Sequence, residues 1–186
     1  MLYDLLHRIW GELSTPMEAG AQPFRLLQLA TLGVDGCPRS RSIILREADG
    51  QNATLVFWID RRSNKFQELL RNPFVALSAF DGQRNVQLRL EGRASVQFDP
   101  QRKREIWNTL KPQSKQLFNR FCPPGTVLDD PAEAWSEEPE SDSDEHFCIV
   151  TVSVDRVEWL DLSGSYHQRA RFSRLARGWR KEWLAP

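Results

Sequence analysis

The feature that most constrains this chain is a two-residue alternation that runs from Val86 to Phe98. Val86, Leu88, Leu90, Ala94, Val96 and Phe98 fall on one side. Gln87, Arg89, Glu91, Arg93, Ser95 and Gln97 fall on the other, as in a strand with one face buried and one face polar. Gly92 interrupts the apolar side, where it permits a bend. A run this long exceeds the usual strand of about 5–6 residues. Long bent strands belong to barrels, in which one strand coils around the core.

The rest of the chain agrees with a barrel. Leu2, Leu5, Leu6, Ile9, Trp10 and Leu13 follow helical spacing, and Ser14-Thr15-Pro16 closes that helix. Strand-like runs cover Phe24 to Leu32, Arg39 to Glu47, Thr54 to Ile59 and Phe74 to Phe80, separated by Gly-, Asn- and Asp-rich turns. Ser63 is placed to cap a short helix carrying Phe66, Leu69 and Leu70, which Asn72-Pro73 stops. After the long strand come helices over Pro100 to Leu110 and Gln113 to Phe121. An acidic loop from Thr126 to His146 follows, and then strands at Phe147 to Trp159, Tyr166 to Ser173 and Trp179 to Leu184. Consecutive strands joined by tight turns pair antiparallel. The expected fold is mainly β: one domain over residues 1–186, a mostly antiparallel barrel with helices outside it.

Several functions are disfavoured. Lys plus Arg and Asp plus Glu both number 25, so bulk charge gives no reason to expect nucleic acid or a membrane as partner. Nine acids and no Lys or Arg lie between Asp129 and Glu145, which leaves the remainder basic and suited to an anionic ligand. Cys37, Cys122 and Cys148 are widely spaced, so neither a disulfide framework nor a metal site is indicated, and a reduced cytoplasmic location is the simplest reading. The N-terminal stretch reads as an amphipathic helix and not as a signal peptide. Phosphate-binding P-loop, dinucleotide-binding, zinc-protease and nucleophile-elbow motifs are missing. His7, His146 and His167 are dispersed. Catalytic residues therefore stay unassigned, as in an enzyme whose cofactor supplies the reactive chemistry.

Three segments carry a resemblance. Arg41-Ser42-Ile43-Ile44-Leu45-Arg46 is a strand that opens on Arg and closes on a base. Val56 to Lys65 is a strand, a turn and a Ser-x-Lys helix start. Gln87 to Ala94 is a Gln-bearing strand followed by Gly and Ala. In this order, and with the ending Trp179 to Pro186, they resemble the pyridoxamine 5′-phosphate oxidase family of FMN-binding split barrels. The similarity is greatest to a branch named for its FMN-binding domain and not for a settled reaction. The resemblance implies FMN as cofactor. Arg41 and Lys65 would hold its phosphate, with Ser63 and Arg46 beside them; Arg41 and Arg46, five residues apart, would face opposite sides of a regular strand, so Arg46 must act from the strand end or across a bulge. Ser42, Ile43, Ile44, Trp58 and Ile59 would line the ribityl chain and ring, and Gln87 and Arg171 would meet the flavin. Asn64 stands where an Arg is usual, and Arg62 is placed to compensate. The physical chemistry agrees, because guanidinium forks and a helix start both favour a phosphate.

The resemblance also implies a homodimer with FMN in a groove between subunits. It does not carry the substrate over. His167 and Arg169 do not keep the Arg-x-His order expected before Arg171. Arg104 to Thr109 does not match the Tyr, Arg and Ser of the family's substrate-phosphate helix. A Trp usual near the flavin is replaced at Leu160, next to Trp159. The expectation is an FMN-dependent oxidoreductase of unknown substrate. A true pyridoxamine/pyridoxine 5′-phosphate oxidase and a non-enzymatic FMN-binding protein are the alternatives.

Overall fold

A computed structural model describes residues 2–15, 23–135 and 142–186. Along the chain run α1 (Leu2–Leu13), β1 (Leu26–Leu32), β2 (Pro38–Ile44), β3 (Glu47–Asp49), β4 (Thr54–Asp60), α2 (Asn64–Arg71), β5 (Phe74–Asp81) and β6 (Val86–Gln97). Then come α3 (Pro100–Thr109), α4 (Pro112–Gln116), a 3-10 turn (Pro131–Trp135), β7 (Phe147–Asp161), β8 (Gln168–Arg174) and β9 (Trp179–Leu184). All strand pairs are antiparallel.

The sheet runs β2-β1-β5-β6-β7-β4-β3, with β8 and β9 also attached through β7. The 15-residue β7 organises this arrangement. One edge pairs with β6 along almost its whole length. The other edge takes β4 along Phe147 to Ser153 and β8 along Arg156 to Asp161. One strand thus holds two short groups of strands side by side.

The alternation in β6 sorts as its sequence predicts up to its last residue. Val86, Leu88, Leu90, Ala94 and Val96 are buried, whereas Phe98 lies past the strand end and is 75% exposed. Gly92 marks a register shift between Glu91 and Gly92, where Asp155 of β7 is left unpaired. β4 reads Thr-Leu-Val-Phe-Trp-Ile because both faces are covered. Leu55, Phe57 and Ile59 enter the main core. Val56 and Trp58 face a second core with Trp107, Phe118, Phe147 and Ile149. There Phe147 meets Trp58 and Phe118 edge-on at 5.4 and 5.0 Å, contacts worth about 0.5–1.5 kcal/mol each beyond burial.

Three expectations are corrected. The predicted strand Arg39 to Glu47 is two strands: β2 ends at Ile44, and the chain crosses to pair β3 with β4. The amide of Leu45 donates to the Arg25 carbonyl and that of Arg46 to the Val56 carbonyl, so the backbone changes neighbours within two residues. The second helix after β6 is only Pro112–Gln116. The acidic loop contains the turn Pro131–Trp135, and Asp142 docks on the helices, accepting from Trp107 Nε1 at 3.0 Å and Lys115 Nζ at 2.8 Å. Part of the predicted acidic loop, 136–141, lies outside the described residues, as does Pro16 of the predicted helix stop.

Candidate functional site

The start of α2 gathers two cations, Arg41 and Lys65. Arg41 sits mid-β2 on the face turned toward α2, half-buried. Its guanidinium donates to Glu68 Oε2 at 2.7 Å and to the Thr31 hydroxyl. That hydroxyl in turn donates to Glu68 Oε2 at 2.5 Å. Glu68 is buried at 4% exposure, so Arg41 is the charge that makes its carboxylate tolerable there. Lys65, in the first turn of α2, is half-buried, and among the described residues it has no hydrogen-bond or ion-pair partner. Burial, and secondarily the Arg41 charge, pull its ammonium below the ordinary lysine value of 10.5, against the opposing pull of Asp60 and Glu68. A half-buried lysine left without a counterion at a helix start is disposed to take an anion.

Ser63 occupies the N-cap position of α2, but its hydroxyl donates to the Asp60 carbonyl at 2.5 Å and accepts from no helix amide. The α2 start therefore keeps amides that its cap side chain does not satisfy. Asn64 is exposed at the same end. The compensating role for Arg62 is corrected. Its guanidinium is held by Asp60 at 2.6 Å and by the carbonyls of Arg120 at 2.6 Å and Phe118 at 3.1 Å, which straps the segment after α4 to the β4–α2 turn.

Arg46 reaches the site from beyond the end of β2, which resolves its parity against Arg41. Its guanidinium lies 4.2 Å from the Trp58 ring centroid. Burial, then the Arg25 charge, lower its pKa from the ordinary arginine value. Trp58 is half-buried, and its Nε1 is enclosed with no hydrogen-bond acceptor among the described residues. Such a donor left unpaired costs about 1–3 kcal/mol and is rare in folded chains. Lys65 thus offers an unspent donor, and Arg46 and the Trp58 ring add a positive charge and a flat aromatic wall, which suit a ligand with a phosphate at one end. Ile59 is 1% exposed and points into the barrel core.

Gln87 and Arg171 lie elsewhere. A polar row crosses the outer face of the sheet through cross-strand neighbours: Ser42, Gln28, Ser78, Arg89, Glu158, Arg171 and Glu182. Arg171 donates to Glu182 at 3.1 Å. Gln87 stands in the next row, between Phe80 and Leu160. β2 serves both groups, with Arg41 and Ile43 on the α2 side and Ser42 and Ile44 on the outer face. Trp58 pairs with Ile149 and Arg171 with Glu158 of the same strand β7. Nine residues of strand put these two about 30 Å apart along β7. No single tricyclic ring touches both within one chain.

Trp159 does not stand in for the residue at Leu160. It is buried in the main core, while Leu160 faces outward. Thr31 and Glu68 are site residues that the sequence did not single out. Their only signal is position: Glu68 falls on the buried stripe of α2 between Phe66 and Leu69.

Residues 8–97 match the family described as "Pyridoxamine 5'-phosphate oxidase, FMN-binding domain". The chain is 29% identical over 181 residues to a pyridoxine/pyridoxamine 5′-phosphate oxidase of Pseudomonas entomophila (strain L48), covering 92% of this chain and 80% of that one. It is 26% identical over 175 residues to pyridoxine/pyridoxamine 5′-phosphate oxidase 2 of Arabidopsis thaliana, covering 86% of each. The fold matches a pyridoxamine 5′-phosphate oxidase-related FMN-binding protein of Nostoc punctiforme PCC 73102 with a TM-score of 0.73 at 23% identity, over 87% of this chain and 88% of that one. It also matches PhzG of Burkholderia lata 383 with a TM-score of 0.77 at 19% identity, over 99% and 92%. The strand that takes partners on two half-edges, the basic α2 start and these relatives agree: over residues 8–97 the chain is similar to the pyridoxamine 5′-phosphate oxidase FMN-binding family, its fold is the antiparallel split barrel of those proteins, and the match supports FMN as cofactor.

Proposed function

We propose that this protein is an FMN-dependent oxidoreductase that acts as a homodimer, on a substrate other than pyridoxamine phosphate. The observation that carries the FMN assignment is Lys65, half-buried and unpaired beside Arg41 at the start of α2. Bound FMN supplies hydride exchange at its ring. The chain holds the phosphate with Lys65 and Arg41, with Ser63 and Asn64 at the helix start. It orients the ribityl chain and ring against Ser42, Ile43, Ile44 and Trp58, with Arg46 behind the indole, while Ile59, its side chain in the core, offers only its backbone. Gln87 and Arg171 present polar groups to the ring edge.

The separation of Trp58 from Arg171 supports the homodimer, because a second copy brings the missing half to each ring. The outer sheet face also exposes Leu26, Leu32, Ile44, Phe74 and Phe80, large apolar side chains of the kind an isologous interface covers. Mixing two defective chains tests this arrangement. A Lys65→Ala chain and a chain carrying Gln87→Ala and Arg171→Ala should each bind FMN poorly. Randomly reassorted dimers should recover about a quarter of the sites, since each mixed dimer rebuilds one intact site. No recovery would remove the shared site.

The substrate reading rests on α3 and α4. Arg104 pairs with Asp144 at 3.2 Å and Lys115 with Asp142 at 2.8 Å, so these cations are already engaged by the acidic segment. Ile106 and Leu110 turn to the second core beside Trp58. Steady oxygen consumption with pyridoxamine 5′-phosphate would overturn this reading in favour of the family's named activity. Binding of FMN without turnover of any amine or reduced nicotinamide would favour a carrier. No helix among the described residues is long and apolar enough to cross a membrane. A cytoplasmic location suits the three unpaired cysteines.

The lowered Lys65 value gives two pH effects of opposite sign. Between the folded value and the ordinary 10.5, the unfolded chain holds more protons than the folded one. FMN-free protein therefore gains stability as pH rises through that window. FMN affinity should fall over the same window as the ammonium is lost. Titrating FMN binding and thermal unfolding from neutral to alkaline pH checks both, and Lys65→Arg should shift the affinity loss upward.

A further inference from the structure

A cleft of about 660 Å³ lies between α1 and the β8–β9 hairpin and shares no lining residue with the FMN group. Its size falls within the roughly 300–1,000 Å³ of small-molecule sites. Tyr3, Trp10 and Trp179 give it aromatic walls, and His7, Arg174 and Lys181 give it bases, while no Asp or Glu among the described residues lines it. The Lys181 ammonium sits 4.1 Å from the Tyr3 ring centroid, which holds the charge at the edge of the cleft. Asp4, whose carboxylate feels the Lys181 charge, lies outside the lining.

Two details go beyond this composition. Trp10 is 94% buried, yet among the described residues its Nε1 has no hydrogen-bond acceptor. The indole is fixed in place by Gly50, where a Cβ would come within 2.8 Å of Trp10 Cβ. Gly11, one residue on, also lines the cleft, and a Cβ there would meet nothing within 4 Å. Packing does not require that glycine, and inside a helix it costs about 1 kcal/mol relative to alanine. Its effect is to leave the cleft open.

We propose that this cleft is a second binding site, specific for a small planar aromatic anion. The ring would lie between Trp10, Trp179 and Tyr3. The acid group would meet Lys181 and the neighbouring bases.

Calorimetric titration of the FMN-loaded protein with 2-naphthoate, and separately with neutral 2-naphthamide, tests the proposal. One saturable naphthoate site per chain is expected, at least about tenfold tighter than naphthamide, the order of one charged hydrogen bond. Lys181→Gln should lower naphthoate affinity about tenfold. Gly11→Leu, which fills the cleft and favours the helix, should abolish binding while the flavin absorbance stays unchanged. Absence of saturable binding, equal affinity for acid and amide, or naphthoate binding that survives Gly11→Leu would each overturn the site.

Discussion

Lys65→Ala is expected to weaken FMN binding by about 1.5–3 kcal/mol, roughly 10- to 150-fold, the range for a hydrogen bond to a charged group. The geometry puts the loss in the phosphate. Lys65 stands at the α2 start with its ammonium half-buried and unpaired among the described residues, and the nearby Arg41 depresses its pKa further. A phosphate with about two negative charges removes both penalties together. The same substitution should leave FMN-free protein as stable as before or more so, because it deletes a cation whose desolvation outweighs the opposing pull of Asp60 and Glu68. This opposition separates a binding role from a structural one. Arg41→Ala should differ: it strands the buried Glu68 carboxylate and the Thr31 hydroxyl, so it should lower both affinity and stability. Fluorescence titration of FMN, with thermal unfolding of cofactor-free protein, reads both quantities. Unchanged affinity in Lys65→Ala would remove the phosphate assignment.

How far such residues can be read from sequence depends on the range of the interaction that places them. Period-2 patterning exposes β6 because each residue reports its own face. The split use of β7 is invisible in its sequence, since its two half-edges differ only in which strands arrive there. The helix-start lysine is legible because Ser63 and the stripe Phe66–Leu69 fix a local frame. The Arg41, Thr31 and Glu68 triad is not, for it joins β1, β2 and α2 across 27 to 37 residues. Arg62 shows the same limit in reverse. Its sequence position suggests a phosphate ligand, but carbonyls more than 50 residues away claim its guanidinium. The break between Ile44 and Glu47 is hidden because the residues on either side keep strand character, and only the change of hydrogen-bonding neighbour separates β2 from β3.

The barrel should be least tolerant at Gly92. A Cβ there would lie 2.1 Å from the Ser153 carbonyl oxygen and 3.0 Å from Val154 Cα. Both obstacles are backbone of the adjacent strand, so no side chain can rotate away to make room. The glycine sits where β6 and β7 shift register, with Asp155 squeezed out of the pairing. That shift brings the strands close and bends them, in keeping with a sheet that must curl around the core. Gly92→Ala therefore forces β6 and β7 apart at the centre of the sheet, where they hold one another along most of their length. Overpacking a core typically costs about 1–3 kcal/mol, and a backbone obstacle puts this site at about 3 kcal/mol. For a chain of this size the melting temperature should fall by about 6–12 °C. The contrasting substitution is Gly11→Ala, where the added methyl meets nothing and the helix gains stability. Paired thermal melts of the two variants isolate the steric effect from the general effect of replacing glycine. If Gly92→Ala melts with the parent protein, the close approach of β6 to β7 at the bend is not what holds the barrel in shape.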